Sequence, residues 1–88
     1  MVTYRLVYTR QASKDAQKIK EAGLKEKVKE LLEIIAQNPF QNNPPYEKLR
    51  GDLIGAYSRR ITIKHRLIYQ VLEDEKTVKI IRMWTHYE

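Results

Sequence analysis

The residue types needed for metal-free cleavage of an RNA strand occur in the second half of this sequence. His86 lies near the end of the chain, Glu47 lies in a proline-rich stretch, and Arg60 and Arg66 are close neighbours in the chain. In such a reaction a base removes the proton of a ribose 2′-hydroxyl, cations stabilise the anionic phosphorane, and an acid protonates the leaving 5′-oxygen. A carboxylate and an imidazole can act as base and acid, and arginine can clamp phosphate oxygens in a bidentate way that lysine cannot.

Two of these residues also have a purely structural interpretation. Glu47 could be an ordinary solvated glutamate of a loop, and His86 could belong to a frayed C-terminus. His65, which opens a predicted strand beside Lys64, is typical of a structural or surface histidine. Two histidines without a cysteine make a poor metal site, and the sequence has no phosphate-binding loop, zinc-protease or serine-hydrolase motif. We therefore expect neither a metal nor a cofactor.

Length and composition narrow the class of protein. The 88 residues predict a single domain, 1–88, with a thin core. The formal net charge is +6, and the sequence contains no cysteine, which is typical of a reducing compartment. No apolar run is long enough to span a membrane, and the N-terminus does not resemble a signal peptide. We therefore expect a cytoplasmic protein without a membrane partner.

The order of predicted elements indicates an α+β fold. Periodicity predicts strands over about 2–9, 56–63, 65–73 and 77–86, and helices over about 13–22 and 24–37. Ser13 and Asp15 offer N-cap chemistry for the first helix, and Gly23 ends it. The stretch 40–55, rich in proline and asparagine, predicts a long loop. Two N-terminal helices should therefore pack on one face of a small, twisted, mainly antiparallel sheet.

Alternation along the three later strands separates two faces of this sheet. The face under the helices should carry apolar residues: Tyr57, Ile61, Ile63, Leu67, Tyr69, Val71, Ile81 and Met83. The open face should carry polar, basic and aromatic residues: Ser58, Arg60, Thr62, Arg66, Gln70, Arg82, Trp84 and His86. Arginines on neighbouring strands repel one another unless carboxylates or a polyanion neutralise them. Arginine with stacking aromatics is typical of surfaces that bind single-stranded nucleic acid, whereas the alternative is an exposed face with scattered charges.

The stretch EKLRGDLIGAYSRRITIKHRLIYQV, followed by the terminal THYE, resembles the Txe/YoeB family of toxins, which lies within the RelE-like mRNA interferases. The resemblance rests on the spacing S-R-R-I…H-R-L-[IV]-Y and on the terminal His-Tyr pair, and it covers roughly half of the chain. The sequence departs from the family pattern where Tyr46-Glu47-Lys48 replaces Pro-Glu-Pro and where Tyr57 replaces a tryptophan. Glu88 extends past the His-Tyr pair.

The resemblance implies a role for each matching residue. Glu47 corresponds to the glutamate proposed as general base or proton-relay partner, and Arg66 to the arginine that stabilises the transition state. His86 corresponds to the general acid, and Tyr87 to the tyrosine that positions the substrate. The S-R-R segment corresponds to Ser58, Arg59 and Arg60; together with Arg82 and Trp84 of the predicted open face, these are the candidate RNA-binding residues.

The resemblance also implies a RelE-like fold and a function. The chain would be the toxin of a type II toxin–antitoxin system, a metal-independent endoribonuclease that cleaves mRNA in the ribosomal A site and so inhibits translation. Its partners would be the ribosome with its mRNA and an acidic antitoxin encoded alongside, and a homodimer remains open. The alternatives are a non-catalytic RNA-binding or degenerate RelE-like module and, with less support, a structural subunit of a larger complex.

Overall fold

A computed structural model describes residues 3–42, 45–49 and 55–84 of the chain. Within these ranges two helices precede most of a five-stranded sheet. The elements in chain order are β1 (Arg5–Tyr8), α1 (Arg10–Glu21), α2 (Lys25–Gln37), β2 (Tyr46–Lys48), β3 (Ala56–Arg60), β4 (Arg66–Leu72) and β5 (Thr77–Arg82). A 3-10 turn over Glu73–Glu75 joins the last two strands. The predicted α+β class is confirmed, and β2 is a strand where the sequence predicted a loop.

The strands lie in the order β1-β5-β4-β3-β2. β1 is parallel to β5, whereas the other three pairs are antiparallel. A parallel pair needs a long crossover connection, and the chain between β1 and β5 includes both helices. β2 lies at the edge of the sheet and pairs with β3. Its three residues are enough to fix where its side chains lie beside those of β3.

The helix boundaries follow from local capping. The Thr9 side chain accepts a hydrogen bond from Ala12 N at 3.0 Å and caps α1, so the predicted start at Ser13 is wrong by one turn. Asp15, the other predicted cap, lies inside the helix and is completely buried. Gly23 has φ +75°, a left-handed conformation in which glycine carries no steric penalty, and it separates the two helices as predicted. No helix within the described ranges is long and apolar enough to cross a membrane.

The core fills the space between the helices and one face of the sheet. It contains Ala12 and Ile19 of α1, Val28, Leu31 and Ile35 of α2, and Ile61, Leu67, Tyr69, Val78, Ile80 and Met83 from the sheet side. The helices thus cover Leu67, Tyr69 and Met83 as predicted.

Two residues predicted for the core lie elsewhere. Ile63 is 89% exposed because β3 ends at Arg60, and the residues after it form a bend rather than a strand. Ile81 is displaced by a bulge: Ile68 pairs with Arg82 whereas Tyr69 pairs with Ile80, which leaves one extra residue on β5. The bulge places Ile81 in a second, smaller apolar cluster with Leu49, Ala56 and Ile68.

Candidate active site

Pairing between three strands brings Glu47 and Arg66 together. Glu47 on β2 pairs with Ser58 on β3, and Arg60 on β3 pairs with Arg66 on β4. Residues two apart on a strand share a face, so all four side chains lie on the same side of the sheet. A nitrogen of the Arg66 guanidinium lies 3.3 Å from Glu47 Oε1, which makes a salt bridge and a hydrogen bond. The edge strand that the sequence did not predict is therefore what positions the carboxylate.

The two partners of this ion pair differ in exposure. The Arg66 side chain is only 15% exposed, whereas that of Glu47 is 60% exposed. A largely buried guanidinium is held in place by its surroundings, and an exposed carboxylate remains accessible to a ligand. Arg60, the cross-strand neighbour of Arg66, is exposed. Two arginines in this register repel each other, and Glu47 compensates part of that repulsion, so the pairing explains how the arginine-rich strands fold.

These residues line a cleft of about 540 Å³. Glu47, Ser58, Arg60 and Arg66 contribute from the sheet. The opposite contribution comes from α2, whose lining residues are Lys27, Glu30, Leu31 and Ile34. The sequence did not predict Lys27 and Glu30 as part of the site. Their spacing of three residues, together with Leu31 and Ile34, is the signal that places them on one stripe of the helix.

Ser58 forms part of the cleft between Glu47 and Ile68. The residue is 1% exposed, and its Oγ finds no hydrogen-bond partner in the described part of the chain. Buried hydroxyl groups are usually hydrogen-bonded, so the Ser58 hydroxyl is an exception among the described residues. Ser58, a candidate RNA-binding residue, thus lies below the surface of the cleft rather than exposed on the open face as the sequence predicted.

Arg59 lies on the other face of β3 and is completely buried. Its Nε donates to the Tyr69 hydroxyl at 3.1 Å, and one terminal nitrogen donates to Pro39 O at 3.1 Å and to Gln41 O at 2.7 Å. The guanidinium also lies 5.3 Å from the ring centroid of Tyr46, the residue before Glu47. The structure therefore places this candidate RNA-binding residue away from the cleft, where it ties the segment after α2 to β3.

The Tyr69 phenol completes this buried network. Burial raises the pKa of the Tyr69 hydroxyl above its usual value of 10.0, against an opposing effect of the Arg59 guanidinium. The phenol therefore keeps its proton and donates it to Pro39 O at 2.7 Å. The carbonyl of Pro39 thus accepts from both Tyr69 and Arg59, which anchors the chain where it leaves α2.

Trp84 does not lie on the open face that the sequence predicted, whereas Arg82 pairs with Ile68 and therefore shares the face of Ser58. Arg82 Nε is 3.8 Å from Asp15 Oδ2 of α1. Trp84 stacks on His65, with ring centroids 3.8 Å apart and planes 19° from parallel, and packs against the core. β5 ends at Arg82, so the alternation of a strand does not extend to Trp84. His65 is 8% exposed, consistent with the structural interpretation of this histidine.

Asp15 is a buried carboxylate that the sequence interpretation used only as a cap. Its Oδ2 accepts hydrogen bonds from Met83 N at 3.0 Å and Trp84 N at 3.3 Å, and its Oδ1 accepts one from Gln11 Nε2 at 2.9 Å. It therefore fixes the chain just beyond β5 against α1. The predicted general acid, His86, and the predicted substrate-positioning residue, Tyr87, lie outside the described residues, and their roles stay predictions.

Comparison with known proteins identifies the family. The model of the YoeB-like toxin of bacterial type II toxin–antitoxin systems matches residues 8–87. Toxin YoeB of Escherichia coli K12 is 38% identical over 61 residues, which cover 69% of this chain and 70% of that protein. The structure of the YoeB/ParE toxin from Agrobacterium tumefaciens superimposes with a TM-score of 0.85 at 32% identity and covers 94% of this chain and 99% of that one. In the YoeB–YefM complex from Staphylococcus aureus, the matching chain gives a TM-score of 0.80 at 33% identity and covers 96% and 98% of the two chains. The resemblance found in the sequence is thereby confirmed, and the chain belongs to the YoeB-like toxins of bacterial type II toxin–antitoxin systems.

Proposed function

We propose that this toxin is an endoribonuclease that cleaves mRNA in the ribosomal A site without a metal ion. The observation that carries the proposal is the contact between Glu47 and Arg66 in an open cleft, because it holds a carboxylate and a phosphate-binding group within reach of one ribose–phosphate link. Arg60 on the neighbouring strand adds a second exposed guanidinium. The membership of the chain in the YoeB-like toxins supports the same activity.

In the proposed reaction Glu47 accepts the proton of a ribose 2′-hydroxyl. The 2′-oxygen attacks the adjacent phosphorus, and Arg66 and Arg60 stabilise the negative charge that develops on the phosphorane oxygens. The bond from phosphorus to the 5′-oxygen then breaks, and His86 donates a proton to that oxygen. The products are a 2′,3′-cyclic phosphate and a free 5′-hydroxyl, so no oxidant or further reactant is needed. Tyr87 would hold the substrate beside His86.

The ion pair suits these roles. When a phosphate enters the cleft, it competes with Glu47 for the Arg66 guanidinium, and the displaced carboxylate is then free to accept a proton. Arg66 is the better-fixed partner because most of its surface is covered. A planar guanidinium that is already oriented can bind two phosphate oxygens at once. Arg66 is therefore positioned to stabilise the negative charge of the transition state.

The proposal also includes partners and location. The matching chain in the Staphylococcus aureus complex is bound to YefM, and another structure of that protein is a YoeB dimer. We propose that this chain is likewise silenced by an acidic antitoxin that covers its basic surface and folds on binding, and that it can pair with a second copy of itself. Its substrate is translated mRNA, so it acts in the cytoplasm.

The test is to express the toxin in a short pulse and to map new 5′-ends on ribosome-associated mRNA. We expect growth arrest and new ends with the unaltered chain, and relief of both with His86→Ala or Arg66→Ala. Glu47→Gln should lower the single-turnover cleavage rate by roughly 10²- to 10⁴-fold, the usual contribution of a general base. Glu33→Gln on α2 makes the same chemical change outside the cleft and should cleave normally. Full toxicity of both His86→Ala and Arg66→Ala would falsify the catalytic assignment, and salt-dependent RNA binding without new ends would favour the non-catalytic alternative.

A further inference from the structure

Helix α2 contributes to two separate surfaces through two stripes of side chains. One stripe, Lys27, Glu30, Leu31 and Ile34, lines the cleft that holds Glu47 and Arg66. The other stripe, Lys25, Val28, Lys29 and Leu32, lines a groove of about 530 Å³ against α1. Each stripe has the spacing i, i+3, i+4, i+7 of one helix face. Of the lysines on α2, Lys27 is therefore the one that the geometry directs to the candidate active site.

The charge of the cleft makes Lys27 available to an anion. Lys27 is exposed, and in the described part of the chain no carboxylate oxygen lies within 4.0 Å of its Nζ. Glu47 is engaged with Arg66 rather than with the lysine. Glu30 lies one helical turn along the same wall. The cleft is thus lined by the cations Lys27, Arg60 and Arg66 and by two carboxylates, and an entering phosphate meets a net positive surface.

We propose that Lys27 binds the RNA strand by contacting a phosphate next to the one that is cleaved. This inference rests on the proposed function, because it takes Arg66 and Arg60 as the groups that hold the reacting phosphate. A flexible ammonium group is suited to a neighbouring phosphate, since it acts as a point charge and does not require a fixed orientation. Lys27 thus contributes to binding rather than to the chemical step, and Glu30 on the same wall weakens the same contact by repulsion.

The first experiment measures binding without cleavage. In a Glu47→Gln background, the affinity for a fluorescent single-stranded RNA of about ten nucleotides is measured by anisotropy from low to moderate salt. We expect Lys27→Ala to weaken binding 3- to 10-fold at low salt and to reduce the slope of log affinity against log salt by about 0.7, the value for one phosphate contact on a single strand. Lys29→Ala is the matched control, because it removes the same charge from the same helix but from the other stripe; it should stay within twofold. Lys27→Arg should restore the affinity, and Glu30→Gln should tighten binding.

The second experiment separates binding from chemistry. Single-turnover cleavage is measured on ribosomes that carry a defined mRNA, with Lys27→Ala and Lys29→Ala in the otherwise unaltered chain. Lys27→Ala should raise the ribosome concentration that gives half the maximal rate and leave the maximal rate within twofold. The inference is overturned if both lysine variants weaken RNA binding equally, if neither does, or if Lys27→Ala lowers only the maximal rate. If the unaltered chain does not cleave mRNA and yet Lys27→Ala alone weakens RNA binding, the proposed function fails while the RNA contact stands.

Discussion

Replacing Arg59 tests whether the first arginine of the S-R-R segment stabilises the fold. Methionine fills a similar volume but removes the hydrogen bonds of the buried guanidinium, of which three join described residues: those to the Tyr69 hydroxyl and to the carbonyls of Pro39 and Gln41. Each is worth about 1 kcal/mol net or somewhat more, because the donor is charged. After the substitution Pro39 O still accepts a hydrogen bond from the Tyr69 hydroxyl, so the loss of its bond to Arg59 does not leave this carbonyl without a partner.

The contact of the guanidinium with the Tyr46 ring adds about 0.5–1 kcal/mol. We therefore expect Arg59→Met to lower the free energy of unfolding by about 3–4 kcal/mol. At about 4–8 °C per kcal/mol for a domain of this size, Tm should fall by roughly 12–32 °C. Arg59→Lys keeps the charge but replaces the several N–H donors of the planar guanidinium by a single ammonium group. It should therefore lower the free energy of unfolding by about half as much as Arg59→Met.

The assay is urea unfolding followed by far-ultraviolet circular dichroism, with thermal melts in parallel. Arg60→Met is the matched control, because it removes the same charge one residue along β3 from an exposed side chain on the opposite face. Its free energy of unfolding should stay within about 0.5 kcal/mol of that of the unaltered chain. If Arg59→Met and Arg60→Met differ by less than about 1 kcal/mol, the net worth of a single hydrogen bond, the buried network does not stabilise the fold and the reasoning is refuted.

Two further predictions concern buried ionisable groups. Asp15→Ala leaves the amides of Met83 and Trp84 without their acceptor, so it should lower the free energy of unfolding in urea by about 2–3 kcal/mol. Asp15→Asn keeps an acceptor oxygen and should lose less than half of that. Equal losses in the two variants would contradict the role of the carboxylate. The raised pKa of Tyr69 means that above about pH 10 the unfolded chain releases this proton before the folded chain does. The stability associated with this group is thus complete below about pH 10 and is lost as the pH rises through the folded pKa; the free energy of unfolding should fall over this interval, and Tyr69→Phe should remove that component of the decline.

Local chemistry accounts for the features that the sequence predicted correctly. The stripe of apolar residues along α2, the glycine between the helices and the alternation in β4 each depend on neighbours within a few residues, and these elements lie close to their predicted positions. The S-R-R and H-R-L spacing and the terminal His-Tyr pair were sufficient to indicate the family. Glu47 and Arg66, proposed as catalytic partners from the resemblance, are in contact.

Long-range pairing accounts for what the sequence missed. β2 is too short to show a pattern of its own, and it is a strand only because β3 offers a free edge. The bulge in β5 exists because of its register with β4, so alternation read from β5 alone assigned Ile81 to the wrong surroundings. Arg59, a charged residue, is buried because Pro39, Gln41 and Tyr69 supply acceptors that come from distant parts of the chain.

The amino-acid sequence by itself therefore determined the family, the helices and the residue types available for catalysis, because those depend on composition and on short spacings. Only the tertiary structure decided which of those residues share a cleft. It brought Glu47 to Arg66 across three strands, added Lys27 and Glu30 from α2, and buried Arg59 on the opposite face. The physical reason is that a charge is exposed, paired or buried according to what lies beside it in space, and those neighbours are set by strand pairing and by the packing of α2.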